Sequence, residues 1–303
     1  MTHKHGHSLA EDLSHIEAQL AKRRLALRMI GMSAAAAVLG ACGGGDSSAS
    51  TAAAASTTAD TTAATTSGST TTTGSTTTTT TTTAGSCVVD STETNGPYPA
   101  DGTNNSSGST SNVLTLAAAV RQDIRSSFLG TTTTAPGVRV DLTIQLVNVA
   151  SACAPLAGYA IYLWHCDGLG KYSLYDLPNE SYLRGIQVTD VNGKLTITTI
   201  FPGAYSGRYP HIHFEVFASL AASTTGRSSL LVSQFAMPAE PAKAVYADTT
   251  VYGNSGTRFP QTPLTSDNVF SDNTAAQMAQ QIPTLTGSPS AGYTGTVVIG
   301  IKV

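Results

Sequence analysis

Apolar and polar residues alternate with a period of two along residues 138–149, where Val138, Val140, Leu142, Ile144 and Leu146 fall on one side. That pattern predicts a half-buried strand. Shorter runs at 158–164, 194–200, 211–218, 229–236 and 295–303 predict further strands, the second of them behind a turn at Asn192-Gly193. Helical periodicity is scarce, and only 116–124 and 239–246 suggest short helices. Gly, Pro and Asn punctuate the gaps. Many short strands separated by turn signals predict an all-β chain, an antiparallel β-sandwich over residues 87–303.

In front of residue 87 the pattern stops. Gly43 to Ser86 is nearly all Gly, Ser, Thr and Ala, with unbroken threonine from Thr76 to Thr83. Such a tract carries too little apolar surface to order itself, so residues 42–86 read as a disordered tether. As a flexible coil of some 44 residues it would span roughly 35–40 Å. Residues 1–41 read as an export signal. Arg23-Arg24 precede a small, mildly apolar run, and Leu39-Gly40-Ala41-Cys42 reads as a lipobox with Cys42 as the lipidated residue. The arginine pair resembles a twin-arginine signal, and a general secretory signal is the alternative. Either way the expected product is an exported bacterial lipoprotein, anchored to a membrane through Cys42 and facing the periplasm or the cell exterior.

The charge balance changes little. A net charge of −3 over 303 residues leaves no electrostatic footprint for nucleic acid. About 217 residues behind the tether are ample for one core. With Cys42 spent, Cys87, Cys153 and Cys166 remain, so at most one internal disulfide forms. Cys153 and Cys166 sit at opposite ends of the strand predicted at 158–164 and are not expected to meet; of the two pairings that remain, Cys87–Cys153 is taken as the expected one.

The candidate chemistry lies in two passages. His211 and His213 have strand spacing, so both rings leave the same face. Tyr205 stands six residues earlier, beyond the turn at Pro202-Gly203, and can fold back onto that face. Tyr172 arrives from a separate segment. Two phenols and two imidazoles form an oxygen and nitrogen donor set; phenolate suits a trivalent, oxygen-loving ion, and imidazole suits iron, copper and zinc alike. By themselves, His211 and His213 also fit a structural pair or part of a zinc site, and the tyrosines fit packing.

The wording around these residues resembles the intradiol ring-cleavage dioxygenases, in particular the β-subunit type of the protocatechuate enzymes. The matching stretches are Glu93-Thr94-Asn95-Gly96-Pro97-Tyr98-Pro99, Trp164 to Ser173, Tyr182-Leu183-Arg184-Gly185, Phe201-Pro202-Gly203-Ala204-Tyr205 and Arg208 to Phe214, and they occur in family order. The resemblance runs from about Cys87 to the C-terminus and implies a β-sandwich. It implies a non-haem Fe(III) ion held by Tyr172 and His213 in equatorial positions and by Tyr205 and His211 in axial ones. It implies O2 as co-substrate and a catechol-type substrate opened between its hydroxyls to a muconate-type diacid. Arg208 would stabilise negative charge on the reacting ring, Tyr205 would take a substrate proton, and Gln234 would contact substrate or support the site. Gly96, Pro97 and Tyr98 would lie at the pocket mouth. The helical dimerisation domain of catechol-specific members is absent, and a homo-oligomer is left open. Between Tyr205 and Arg208 stand only Ser206-Gly207, shorter than in catabolic members, which implies an open pocket. The alternatives are a non-catalytic tethered β-sandwich that binds aromatic or carbohydrate ligands, and a hydrolase that uses the same pocket with zinc.

Overall fold

The structure is a computed structural model of the chain, and it describes residues 87–303. Cys42, the export signal and the tether of residues 42–86 lie outside the described residues. Among the described residues nine strands form two sheets. The first contains β1 (Arg139–Asn148), β2 (Ala154–Pro155), β5 (Lys194–Ile200), β8 (Thr284–Ser288) and β9 (Gly292–Ile301). The second runs in the order β4 (Arg184–Val188), β3 (Ala160–Trp164), β6 (His211–Phe217) and β7 (Leu231–Ala236). All pairings are antiparallel except β1 with β9, which run parallel from Val140↔Tyr293 to Asn148↔Ile301. The predicted antiparallel sandwich is thus present with one parallel pairing, and the strands β2, β4 and β8 are additions to the expected set. The helices α1 (Ala239–Val245), α2 (Thr249–Tyr252), α3 (Ser255–Arg258) and α4 (Ala275–Gln281) follow the second sheet. Among the described residues no helix is long and apolar enough to cross a membrane.

The two sheets face each other across one core. Val140, Leu142, Ile144 and Leu146 of β1 meet Ile161 and Leu163 of β3 and Ile212, Phe214 and Val216 of β6. Strand alternation sends the intervening residues of β3 and β6 to the opposite face. That face is also covered: every residue of β6 is buried, including His211, His213 and Glu215. The cover is a layer of loops, in which Ala100, Val113, Leu114, Tyr172 and Leu174 pack against Ala160, Tyr162 and Trp164. A sheet with two dry faces can hold polar side chains in a water-poor pocket without placing them in the main core.

The helix expected at 116–124 does not form. A single helical turn spans Ala117–Ala119, and the chain then pairs with strand edges. Arg121 N donates to Ile186 O, Thr198 N donates to Gln122 O, and Ile124 N donates to Thr198 O. Unpaired backbone groups on the edges of β4 and β5 capture the segment, and tertiary pairing overrides its local propensity. The helix expected at 239–246 is present as α1. At the predicted turn, Gly193 has φ +68° and its N–H donates to Asp190 O, and the turn carries the chain from β4 in one sheet to β5 in the other.

The N-terminal strap is fastened at several points. Cys87 and Cys153 form the expected disulfide, and Cys166 is free and buried. Gln280 of α4 accepts from Val88 N and donates to Val88 O and to Asp90 Oδ1. Gly300 N donates to the other Asp90 oxygen at 3.1 Å. Burial outweighs these hydrogen bonds and pushes the Asp90 carboxyl up from 3.8 to about 7. A carboxyl raised on folding contributes stability that is complete below its unfolded pKa and is lost as pH rises through the folded one. The urea midpoint should therefore fall between about pH 4 and pH 7. Asp90→Asn should flatten that fall by on the order of a few kcal/mol, and an unchanged slope would exclude Asp90 as its source.

Candidate metal centre

The centre is built on β6 and the loops that cover it. His211 and His213 leave the covered face of β6, with Trp164 of β3 opposite His213 in register. Trp164 is fully buried, and its ring stacks on His213 at 4.8 Å and 5°. Tyr205 returns from the turn behind β5, and Tyr172 descends from the loop between β3 and β4. Their functional atoms converge. Tyr172 Oη lies 3.4 Å from Tyr205 Oη, 3.5 Å from His211 Nε2 and 3.3 Å from His213 Nε2. His211 Nε2 lies 3.2 Å from Tyr205 Oη and 3.1 Å from His213 Nε2.

These distances fit a shared ion better than a hydrogen-bond network. A hydroxyl hydrogen bond prefers about 2.7–2.9 Å, and each of the four contacts that involve a tyrosine oxygen is longer, at 3.2–3.5 Å. Donors held about 2.0–2.1 Å from one ion lie roughly 2.9–3.4 Å apart, between octahedral and tetrahedral edges. His211 Nδ1 lies 2.6 Å from the Tyr209 carbonyl, which can only accept, so Nδ1 carries the proton and Nε2 presents a lone pair. His213 Nδ1 is buried with no partner. Among the described residues no group of three or more His, Cys, Asp or Glu side chains could hold a metal, so a metal here depends on the tyrosine oxygens.

The electrostatics agree. Burial first, and Tyr205 second, raise the Tyr172 phenol well above its usual range. Burial first, then Arg208, pushes His211 well below the usual histidine value; burial first, then His211, does the same to His213. The pocket thus holds neutral imidazoles ready to ligate and, in Tyr172, a buried phenol that only strong positive charge at its oxygen would ionise.

The loop carrying Tyr172 is locally fixed. Asp176 Oδ2 accepts from Tyr172 N at 2.9 Å, and Asp167 Oδ1 accepts from Leu169 N and Lys171 N. Asp167 supports this loop through those two bonds. His165 does not join it: its Nε2 is bonded to Thr199 of β5 and its Nδ1 to the Cys166 carbonyl. Leu174 holds φ +65°, an uncommon conformation for a leucine, while its N–H donates to the carbonyls of Leu177 and Glu180. The strap forms the opposite wall. Tyr98 packs on Tyr172 with ring centroids 4.7 Å apart. Gly96 has φ +67°, and a Cβ there would stand 3.2 Å from His213 Cε1, so a side chain would crowd the imidazole. Pro97 gives its carbonyl to Asn104 Nδ2 at 2.6 Å.

Arg208 lies beside the centre and is buried. Its Nε donates to Asp267 Oδ2 at 3.0 Å and its Nη2 donates to Gln234 Oε1 at 2.7 Å. Burial works against its charge, and Asp267 and the nearby phenols outweigh it, so the guanidinium pKa is raised. Asp267 is the residue that sequence reading missed. Fully buried, it also accepts from the backbone N–H groups of Tyr209, Val269 and Phe270. The signal was an Asp in Ser266-Asp267-Asn268, which reads as an ordinary turn former. Gln234, anticipated as a substrate contact or a support, is engaged at both ends: its Nε2 donates to Thr94 O at 2.8 Å while its Oε1 receives Arg208. Its place is to tie Arg208 to the strap.

Residues 110–217 match the family model described as Dioxygenase, and that segment contains Tyr172, Tyr205, Arg208, His211 and His213. The fold is similar to that of an intradiol ring-cleavage dioxygenase from Tetranychus urticae, with a TM-score of 0.53 at 21% identity over 71% of this chain and 95% of that one. The described residues have the fold of an intradiol ring-cleavage dioxygenase. Lower similarity links the chain to the dioxygenase domain of a dioxygenase and carbohydrate-binding protein fusion from Streptomyces sp. SirexAA-E (TM-score 0.39, 23% identity, 61% of this chain and 88% of that one). The catechol 1,2-dioxygenase of Pseudomonas arvilla C-1 is also similar (TM-score 0.37, 20% identity, 60% and 56%). The fold assignment rests on the first of the three. No curated protein matches the chain.

Proposed function

We propose that the dioxygenase domain holds one non-haem ferric ion on Tyr172, Tyr205, His211 and His213 and uses O2 to open a catechol between its hydroxyls, giving a muconate-type diacid. The observation that carries this reading is the convergence of two phenol oxygens and two imidazole nitrogens at 3.1–3.5 Å in a buried pocket. When bound, the ferric ion would chelate both catechol oxygens and draw electron density from the ring, which opens it to O2. Tyr172 is 1% exposed and pinned by its loop, which suits a ligand that stays in place. Tyr205 is half-buried, which suits an oxygen that can receive a catechol proton as substrate enters. Arg208, held protonated by Asp267, supplies fixed positive charge for the anion that develops on the ring. Gly96 and Tyr98 close the site from the strap side without filling it.

Protein produced with iron available should contain one iron per chain, show the burgundy colour of tyrosinate-to-ferric charge transfer, and consume O2 with at least one member of a catechol panel. A colourless protein with stoichiometric zinc would overturn the reading, and catechol binding without O2 uptake would favour a binding module. For the front of the chain we propose export and anchoring through a lipid on Cys42, a reading that rests on the lipobox and the tether composition. Cys42→Ser should move the protein from the membrane fraction to the soluble one, and an unchanged distribution would exclude the anchor.

A further inference from the structure

Arg184 belongs to a stretch, Tyr182-Leu183-Arg184-Gly185, for which the ferric reading has no use. It is fully buried, and among the described residues its side chain forms no ion pair within 4.0 Å. Burying a guanidinium away from water is costly unless its N–H groups are satisfied. Here they are spent on two segments. Nε donates to Ser173 Oγ at 3.0 Å and Nη2 to Ser173 O at 2.8 Å. Nη1 donates to Pro99 O at 3.0 Å and to Tyr162 Oη at 3.2 Å, and Tyr162 Oη itself donates to Pro99 O at 2.7 Å.

Ser173 follows Tyr172 in the chain, and Pro99 follows Tyr98. These two tyrosines form the ring contact at 4.7 Å that closes the metal centre from the strap side. The Arg184 guanidinium also lies over the Tyr175 ring at 5.4 Å, and Tyr175 packs edge-on against Tyr98 at 5.2 Å. One planar cation therefore bolts the loop that carries a metal-ligand candidate to the strap that forms its wall. The strand β4 from which it projects is paired along its whole length with β3. A lysine could keep the charge but not the fork, because a compact ammonium cannot hold both carbonyls and a hydroxyl in one plane.

We propose that Arg184 is a positioning residue: it sets the orientation of the Tyr172 phenol and docks the strap of residues 94–100 against it. This inference rests on the ferric reading for its effect on turnover, but not for its effect on the two segments. The test uses the full chain with Arg184→Lys and, as a milder variant, Ser173→Ala, which removes the hydroxyl that accepts from Arg184 Nε and donates to Tyr182 O at 2.6 Å. In the iron-loaded proteins the charge-transfer band should shift or weaken, and kcat for a catechol should fall on the order of 10–100-fold with a smaller change in KM. In the metal-free proteins hydrogen exchange at 94–100 and 171–176 should rise together in Arg184→Lys, and at 171–176 alone in Ser173→Ala, while the strands of the first sheet stay protected. If Arg184→Lys does not fold, the Ser173→Ala exchange pattern and band decide the matter. Wild-type band and wild-type exchange in the folded variants would overturn the proposal. A wild-type protein without iron or colour would instead overturn the ferric reading, and the metal-free exchange would still judge Arg184.

Discussion

Arg208→Ala should keep the iron and the colour and lose turnover by about 10²–10³, the usual cost of removing one preorganised group that stabilises developing charge. None of the four converging donor atoms belongs to Arg208, so metal binding should survive. The substitution also leaves Asp267 buried without its cation. Breaking one partner out of a buried ion pair typically costs about 3–5 kcal/mol. Here the loss should be smaller, because three backbone N–H groups still point at that carboxylate. Thermal unfolding should accordingly show a folded but less stable variant. Arg208→Lys separates the two effects: it restores charge but cannot reach Asp267 and Gln234 with the same fork, so its kcat should lie between those of Arg208→Ala and wild type. Steady-state oxygen uptake with a catechol, metal analysis and a melting curve on the same samples check all three statements. Wild-type kcat in Arg208→Ala would make the arginine a structural partner of Asp267 and nothing more.

Tyr172→Phe should empty the centre. Of the two phenols it is the more buried, and its oxygen is within 3.5 Å of all three other donor atoms. Removing it leaves two imidazoles and one half-exposed tyrosine, a weaker and less oxygen-rich set for a trivalent ion. Loss of a group that merely orients a ligand costs 10–100-fold in metal affinity, so loss of the ligand itself should exceed about 100-fold. The substitution is nearly isosteric, and the phenylalanine avoids burying a hydroxyl, so the fold should be retained or slightly stabilised in metal-free protein. Iron content measured after dialysis against a weak chelator checks the prediction. Full iron and full colour in Tyr172→Phe would remove Tyr172 from the ligand set.

Much of this architecture was legible in the residues. Alternation along 138–149 pointed to β1, and period-two spacing put His211 and His213 on one face of β6. The Asn192-Gly193 turn was also readable, because it depends on local backbone rules, and counting three cysteines limited the chain to one disulfide but left its partners to the fold. The segment at 116–124 was misread, since its fate depends on strand edges that arrive from residues 184–188 and 194–200. Asp267 was invisible for a related reason. A buried aspartate that receives a guanidinium and three backbone N–H groups has the same local sequence as a solvated turn aspartate, and the difference lies wholly in what packs around it.

The chain by itself determined the donor types, their order, and the alternation that carries two imidazoles to one face, because periodicity and chemical identity are properties of neighbours in sequence. Tertiary structure decided that Tyr172 and Tyr205 reach those imidazoles and that the face is dry. It also decided that Arg208 keeps its charge through Asp267, and that Arg184 fastens strap to loop. Those outcomes depend on distances and desolvation between segments tens of residues apart, and only the packed fold sets them.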